Sequence, residues 1–273
     1  MKSSNANSKV ILVSGASSGI GKAIASYLSD KGHRVIGTSR SPQTQAAPFE
    51  WEILDVTSQK SVESCIQRVV SKYSRIDILI NNAGLGMISS LEEAPMDNIN
   101  RVLNTNLLGV IRVIQTVLPI MRMQNKGHII NISSIAGLMG LPYRSIYSAS
   151  KFAVEGLTES IRTEVRKFGI EVCTLQPGSI ETDIKESRAT YIPRDSVYNP
   201  ELTEVENIID AEVAKGIPAI LVAKKIEKLI GKKHLHSKYV VAKPFQKLVS
   251  AIRPVIPRSM FEKLLMTHYQ IKD

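Results

Sequence analysis

Val10-Ile11-Leu12-Val13 runs without a break into Ser14-Gly15-Ala16-Ser17-Ser18-Gly19-Ile20-Gly21. Four consecutive apolar residues fit a strand covered on both faces. The glycines that follow permit tight turns and let an anion approach the backbone closely. A helix opening at this point aims its unpaired N–H groups, and the positive end of its dipole, at that anion. The pattern predicts this helix over residues 21–31, with Gly32 as its stop. Three glycines alone would serve as a turn cap. Their position between the first strand and the first helix favours phosphate binding.

Outward from this segment, apolar runs alternate with helical periods. Strands are expected at residues 34–38, 51–53, 76–80, 127–132 and 170–175, and helices at about 58–73, 96–124 and 147–168. Residues 39–48 read as loop, and the fourth strand ends in Asn81-Asn82-Ala83-Gly84. Near-continuous apolar strands alternating with helices imply an α/β fold, a doubly wound parallel sheet with helices on both faces. Beyond Pro177-Gly178 the pattern loosens, and residues 179–215 are expected to form a mobile substrate lid. A helix at 218–230 and a last strand at 238–242 follow. Residues 243–273 form a C-terminal extension of two amphipathic segments parted by Pro254 and Pro257. No repeat or linker divides the chain, so residues 1–273 are read as one domain with a flexible tail at 1–9.

Of 273 residues, 43% are hydrophobic and 22% charged, which excludes collagen-like, disordered and disulfide-scaffold classes. No uncharged apolar run reaches the roughly 18 residues of a membrane-spanning helix. The first nine residues lack an apolar signal core, so a cytoplasmic location is expected. Cys65 and Cys173 stand far apart and read as free buried thiols. His234 and His236 have no third ligand nearby, so no metal is expected. The net charge of +10 is concentrated: residues 1–211 carry 22 basic and 21 acidic side chains, and residues 212–273 carry 13 and 4. Such a patch attracts phosphates, an acidic carrier protein or an anionic membrane surface. A plain solvated face is the alternative. Nucleic acid is not expected, because the tail has few aromatics for stacking.

Tyr147 and Lys151 lie four apart, which on a helix is one face and roughly 6 Å of rise. A free tyrosine has a pKa of about 10, too high for proton exchange at neutral pH. A neighbouring ammonium stabilises the phenolate and lowers that value. The phenol can then act as an acid toward a carbonyl oxygen or as a base toward an alcohol.

Gly15-x-x-x-Gly19-x-Gly21, Asn-Asn-Ala-Gly after the fourth strand and Tyr147-x-x-x-Lys151 occur in that order. In these motifs the chain resembles the short-chain dehydrogenase/reductase family, in its compact single-domain branch, closely over residues 10–178 and weakly beyond. The resemblance implies a Rossmann-type fold and hydride transfer between a nicotinamide cofactor and a carbonyl or alcohol. It implies that Ser134 polarises the substrate oxygen and Tyr147 transfers the proton. Lys151 would tune that tyrosine and hold ribose, while Asn106 supports a proton relay through water. It places the cofactor against Gly15, Ser17, Ser18, Gly19, Ile20 and Gly21, with Asp55 and Val56 beside the adenine. Asn82, Ala83 and Gly84 would line the ribose side. Pro177, Gly178, Ile180 and Thr182 would close over the nicotinamide, although Thr182 also reads as a helix cap with Asp183 nearby.

Folds that bind NAD usually place an acid at the end of the second strand. Here Thr38-Ser39-Arg40 stands there, with no carboxylate. An arginine can fork onto a 2′-phosphate and a serine can donate to it, so NADP(H) is expected through Arg40 and Ser39. Some family members carry a second basic residue before the middle glycine, where this chain has Ser18. The alternative is that Arg40 is an ordinary surface residue.

Ile184, Tyr191, Ile192, Val197 and Tyr198, and the segment Leu138-Met139-Gly140-Leu141-Pro142-Tyr143, are expected to flank the reacting carbon. Apolar walls suit a lipophilic ketone or alcohol such as a steroid, a retinoid or a long acyl chain. The stretch 137–151 looks like that of hydroxysteroid and retinol dehydrogenases. A 3-oxoacyl reductase that receives its substrate on an acidic carrier is one rival. A non-catalytic NADP(H)-sensing protein is another. Glu155, Glu159 and Glu164 are expected on the wet face of their helix. The helix over 96–120 is too apolar to face solvent; core burial explains part of this, and the resemblance, whose members commonly pair through this helix and the next, implies a homodimer or homotetramer.

Overall fold

The computed structural model describes residues 8–182 and 188–272. Seven strands form its central sheet: β1 (Val10–Val13), β2 (Arg34–Ser39), β3 (Glu50–Ile53), β4 (Ile78–Asn81), β5 (Gly127–Ile132), β6 (Ile170–Pro177) and β7 (Lys238–Val241). Their order is β7-β6-β5-β4-β1-β2-β3, and every pairing is parallel. β1, β4 and β5 are buried at every position, which is why β1 reads as an unbroken apolar run and β4 and β5 as apolar runs broken only by Asn81, His128 and Asn131.

The helices are α1 (Gly19–Asp30), α2 (Gln59–Tyr73), α3 (Met96–Leu103), α4 (Gly109–Met123), α5 (Ser145–Val165), α6 (Glu201–Ala214), α7 (Ile220–Ile230), α8 (Pro244–Ile252) and α9 (Arg258–Tyr269). On one face of the sheet, Ile24 and Leu28 of α1 pack with Val222, Ile226 and Leu229 of α7. On the other, Val62 and Val69 of α2 meet Val113, Val117 and Met121 of α4 and Val154 and Ile161 of α5. A π-helical turn, Asn104–Leu108, joins α3 to α4 where a single helix was expected. Its wider turn carries Asn106 inward. The composite helix Met96–Met123 has the length and composition to cross a bilayer. Val113, Val117 and Met121 are nevertheless sealed against the sheet.

β1 and β4 are neighbours in space, and the chain leaves them in opposite directions, to β2 and to β5. A crevice opens at the carboxyl ends of the strands at such a reversal. The turn after β1 and the turn after β4 both empty into it. α1 begins at Gly19, two residues earlier than the periodicity suggested, because Ser18 is still extended (φ −151°, ψ 175°) and serves as its N-cap.

The larger departure concerns residues 179–215, expected as a loose lid. Residues 183–187, with Asp183 and Ile184, lie outside the described residues. Downstream, α6 buries Leu202, Val205 and Ile209 on one face. This spacing is helical, but Glu201, Glu204, Glu206 and Asp210 interrupt it in sequence and obscured the period. These three side chains join a third core cluster with Met139, Leu141, Phe261 and Tyr269. The C-terminal extension is therefore part of a packed layer over the sheet's carboxyl edge. Of the expected flexible tail, residues 1–7 also fall outside the described residues. Ser8 donates to Gly32 O at 3.0 Å and Lys9 Nζ to Ile230 O at 2.6 Å, so both are tied down.

Candidate active site

Gly15 and Gly19 adopt φ of +67° and +52°, a region that side-chain-bearing residues rarely visit. A Cβ on Gly15 would stand 2.9 Å from Ala83 Cα, and one on Gly21 would stand 2.1 Å from the Gly15 carbonyl oxygen. Asn82 Nδ2 donates to Ser14 O at 3.0 Å and to Gly15 O at 2.8 Å. Ser14 Oγ accepts from Asn82 N at 2.9 Å and Ala83 N at 3.0 Å. The two turns are thus stitched together across the strand reversal. Gly15, Ser17, Ser18, Gly19 and Ile20 line the resulting cleft, of about 560 Å³. Gly21 does not; it lies beneath, where the backbones press closest. Ser18 makes no side-chain bond to the first turn of α1, so the amides there remain available to an anion.

Ser39 and Arg40, at the end of β2, line one end of the cleft. Arg40 is exposed, and Ser39 Oγ accepts from Gln43 Nε2 at 3.1 Å. Asp55 and Val56 follow β3 on the same wall, with Asp55 Oδ1 accepting from Thr57 N at 2.9 Å and Thr57 Oγ1 at 2.7 Å. Asn82, Ala83 and Gly84 form the floor.

Ser134, Tyr147 and Lys151 meet at the other end. Tyr147 opens α5 and is buried; Lys151 Nζ lies 5.8 Å from its ring centre and is fixed by a 2.9 Å bond to Ile132 O. Burial pushes the Tyr147 phenol up. Lys151, then Arg144, a hydrogen bond from Ser134 and Arg188 outweigh it, so the phenol titrates below its ordinary 10.0. Asn106 takes no part in the cleft wall. It is buried, its Oδ1 accepting from Leu85 N at 2.8 Å and its Nδ2 donating to Leu85 O at 2.9 Å and Ser150 Oγ at 3.0 Å. A Cβ on Gly84 would stand 3.4 Å from Asn106 Oδ1 and 3.7 Å from Lys151 Nζ, so both residues converge on that glycine.

Pro177, Gly178, Ile180 and Thr182 line the cleft beyond β6. The Thr182 methyl sits 3.3 Å from where a Cβ of Gly19 would be, so Thr182 closes over the glycine turn. Its hydroxyl donates to Ile180 O at 3.4 Å. Gln246 of α8 bolts this turn in place, its Oε1 accepting from Ser179 N at 3.2 Å and its Nε2 donating to Ser179 Oγ at 2.8 Å.

Leu138, Gly140, Pro142 and Tyr143, expected to flank the reacting carbon, do not line the cleft. Met139 and Leu141 line the cleft. Tyr191 and Val197 are instead exposed, and Ile192 and Tyr198 pack elsewhere in the third cluster. Their place is taken by Ile209 and Val213 of α6, Val249 of α8, and Phe261, Leu265 and Tyr269 of α9. The spacing of Phe261, Leu265 and Tyr269, four apart, was a legible sign of one apolar face.

Sequence reasoning also missed a polar group at this end. The Arg144 guanidinium lies 4.9 Å from the Tyr147 ring centre. Arg188 pairs with Asp210 at 2.8 Å. His268 of α9 bonds Glu212 of α6 at 3.0 Å, and that carboxylate raises the imidazole above its ordinary 6.5. Glu155 is not on the wet face. It shares the 147–151–155 face of α5, and its Oε2 accepts from Thr174 Oγ1 at 2.8 Å. Glu159 and Glu164 are exposed. His234 Nδ1 contacts Glu171 Oε1 at 3.3 Å and His236 stacks edge-on to Tyr239. Cys65 and Cys173 are free, and burial pushes both thiols up to about 12.

The family model for short chain dehydrogenases matches residues 9–191. The chain belongs to that family and is an oxidoreductase built on its Rossmann-type sheet. A 3-ketodihydrosphingosine reductase from Bacteroides thetaiotaomicron is 37% identical over 266 residues, spanning 97% of this chain and 99% of the relative. A 3-oxoacyl-[acyl-carrier-protein] reductase from Vibrio cholerae is 36% identical over 190 residues, or 67% of this chain and 78% of the relative. The crystal structure of a short-chain dehydrogenase from Streptomyces avermitilis superposes with a TM-score of 0.78 at 28% identity, covering 94% of this chain and 98% of that one.

Proposed function

We propose that the protein reduces the carbonyl of a long apolar ketone with NADPH, or runs the reverse oxidation with NADP+. The observation that carries this reading is the meeting of Ser134, Tyr147 and Lys151 at one end of a cleft whose other end presents a glycine cradle and Arg40. The cradle fits a dinucleotide, because glycines at 15, 19 and 21 let the turn fold tightly against Ala83 and Asn82 and leave the first amides of α1 facing the cleft. When bound, the dinucleotide supplies or accepts the hydride. Ser134 holds the substrate oxygen beside the phenol. Tyr147 gives that oxygen a proton in reduction and takes it back in oxidation, its titration lowered by the neighbouring cations. Lys151 keeps its ammonium against the phenol through its anchor on Ile132 and reaches the nicotinamide ribose. Asn106 acts behind this group, through Leu85 and Gly84. Arg40 and Ser39 select the 2′-phosphate.

The apolar walls from α6, α8 and α9 favour a long-chain ketone over a small polar one. The relative whose match extends through 97% of this chain is named for a keto lipid, whereas the carrier-dependent reductase matches only 67%. A carrier-bound 3-oxoacyl chain is therefore the second reading. The proposal also includes a cytoplasmic location and a homodimer or homotetramer, for which Leu108 and Phe152, each 45% exposed, are candidate contacts.

The test is NADPH oxidation against long-chain ketones, ketosteroids, retinal and 3-oxoacyl thioesters, on the wild type and Tyr147→Phe. Turnover of a long-chain ketone that disappears in Tyr147→Phe, with NADPH affinity nearly unchanged, supports the reading. Retained turnover in that variant overturns the mechanism. NADPH binding with no turnover of any carbonyl would leave a cofactor-sensing protein instead.

A further inference from the structure

Five large apolar side chains of the C-terminal arm stand more than half exposed: Phe245 at 69%, Leu248 at 57%, Val255 at 80%, Met260 at 54% and Leu264 at 52%. Two of them, Phe245 and Leu264, also line the cleft. The apolar wall inside, formed by Val249, Phe261 and Leu265, therefore continues onto an apolar rim outside. Lys243, Lys247, Arg253, Arg258, Lys263 and Lys272 are interleaved with these residues, and Glu262 is the single acid between 243 and 272. Of the six, Arg253 is turned onto the Phe261 ring at 4.7 Å.

We infer that α8, α9 and the turn between them dock the mouth of the cleft onto an anionic lipid surface. Apolar side chains that enter the interface and basic ones that meet headgroup phosphates act together in such docking. Charge decides against a second copy of the chain as the occupant. A two-fold contact would set one strongly basic face against another, with one acid on each side to relieve it. An acidic protein surface would answer the lysines but leave the exposed apolar side chains without a matching partner. A bilayer answers both. The docking stands apart from the reaction proposed above. What rests on that reaction is the consequence that a lipid substrate enters the cleft directly from the membrane.

The test is flotation of the full chain with phosphatidylcholine vesicles and with vesicles of phosphatidylcholine mixed with phosphatidylglycerol. About tenfold more protein should float with the anionic vesicles, and added salt should reduce it. Leu248→Ser combined with Val255→Ser and Met260→Ser should lower that flotation about tenfold while leaving the melting temperature unchanged, because these side chains are exposed and lie off the cleft wall. Failure of the wild type to float with anionic vesicles overturns the inference, as does flotation of the triple variant at the wild-type level. A concentration-dependent dimer without lipid that the triple variant dissolves would assign the face to a second copy and overturn it too. So would capture by an acidic carrier protein in the absence of any vesicle binding.

Discussion

Replacing Arg40 by alanine tests the cofactor assignment at its narrowest point. The side chain is exposed at the end of β2, so its removal should leave folding within about 0.5 kcal/mol of the wild type. Against a bound 2′-phosphate it would supply a charge-assisted contact worth about 1.5–3 kcal/mol in all. At about 1.4 kcal/mol per factor of ten, NADPH should bind roughly 10- to 150-fold more weakly to Arg40→Ala. NADH, which lacks that phosphate, should change by less than about twofold on the same reasoning. Arg40→Asp goes further, because it sets a carboxylate against the phosphate and offers an acceptor to a ribose hydroxyl. The preference should then invert. Titration of nicotinamide fluorescence at fixed salt measures both constants on each variant. Equal weakening of NADPH and NADH, or an unchanged ratio, would refute the argument that this guanidinium reads the phosphate.

Gly21→Ala should lower stability by about 2–4 kcal/mol, through overpacking and loss of one hydrogen bond. Its Cβ would meet Gly15 O at 2.1 Å and Asn82 Nδ2 at 2.4 Å, and a thermal melt reads the loss. Arg144→Met removes one of the cations that hold the Tyr147 phenol down, so the rising limb of the pH–rate profile for alcohol oxidation should move to higher pH. Arg144→Lys should move it less. His268, raised by Glu212, contributes its ion pair fully below pH 6.5 and loses it as pH climbs through the folded value. Amide protection in α9, taken relative to the intrinsic base-catalysed exchange rate, should therefore fall on the alkaline side, and His268→Gln should remove that fall.

The half of the cleft proposed to hold the cofactor was legible in its placement because it rests on short local patterns. A glycine spacing after an apolar strand, an arginine where an acid is usual, and Tyr-x-x-x-Lys within one helical turn can each be read without knowing what lies across the fold. The half proposed to hold the substrate depends on contacts between distant segments. Arg188 meets Asp210 and His268 meets Glu212 only because α6 and α9 pack over the carboxyl edge of the sheet. No local pattern marks those pairs. Glu155 was misread for a related reason. Three acids on one helix suggested a wet face, but the four-residue step from Tyr147 through Lys151 carries Glu155 to the buried side. The acids of α6 concealed its apolar face in the same way, since Glu204 and Glu206 fall between Leu202, Val205 and Ile209 and Glu201 and Asp210 flank them.

Gln246 gives the C-terminal arm a mechanical role. Its amide grips Ser179 through both backbone and side chain, directly after the Pro177-Gly178 turn. The two bonds tie α8 to the turn that carries Gly178, Ile180 and Thr182, so any displacement of α8 would have to break both before that side of the cleft could widen.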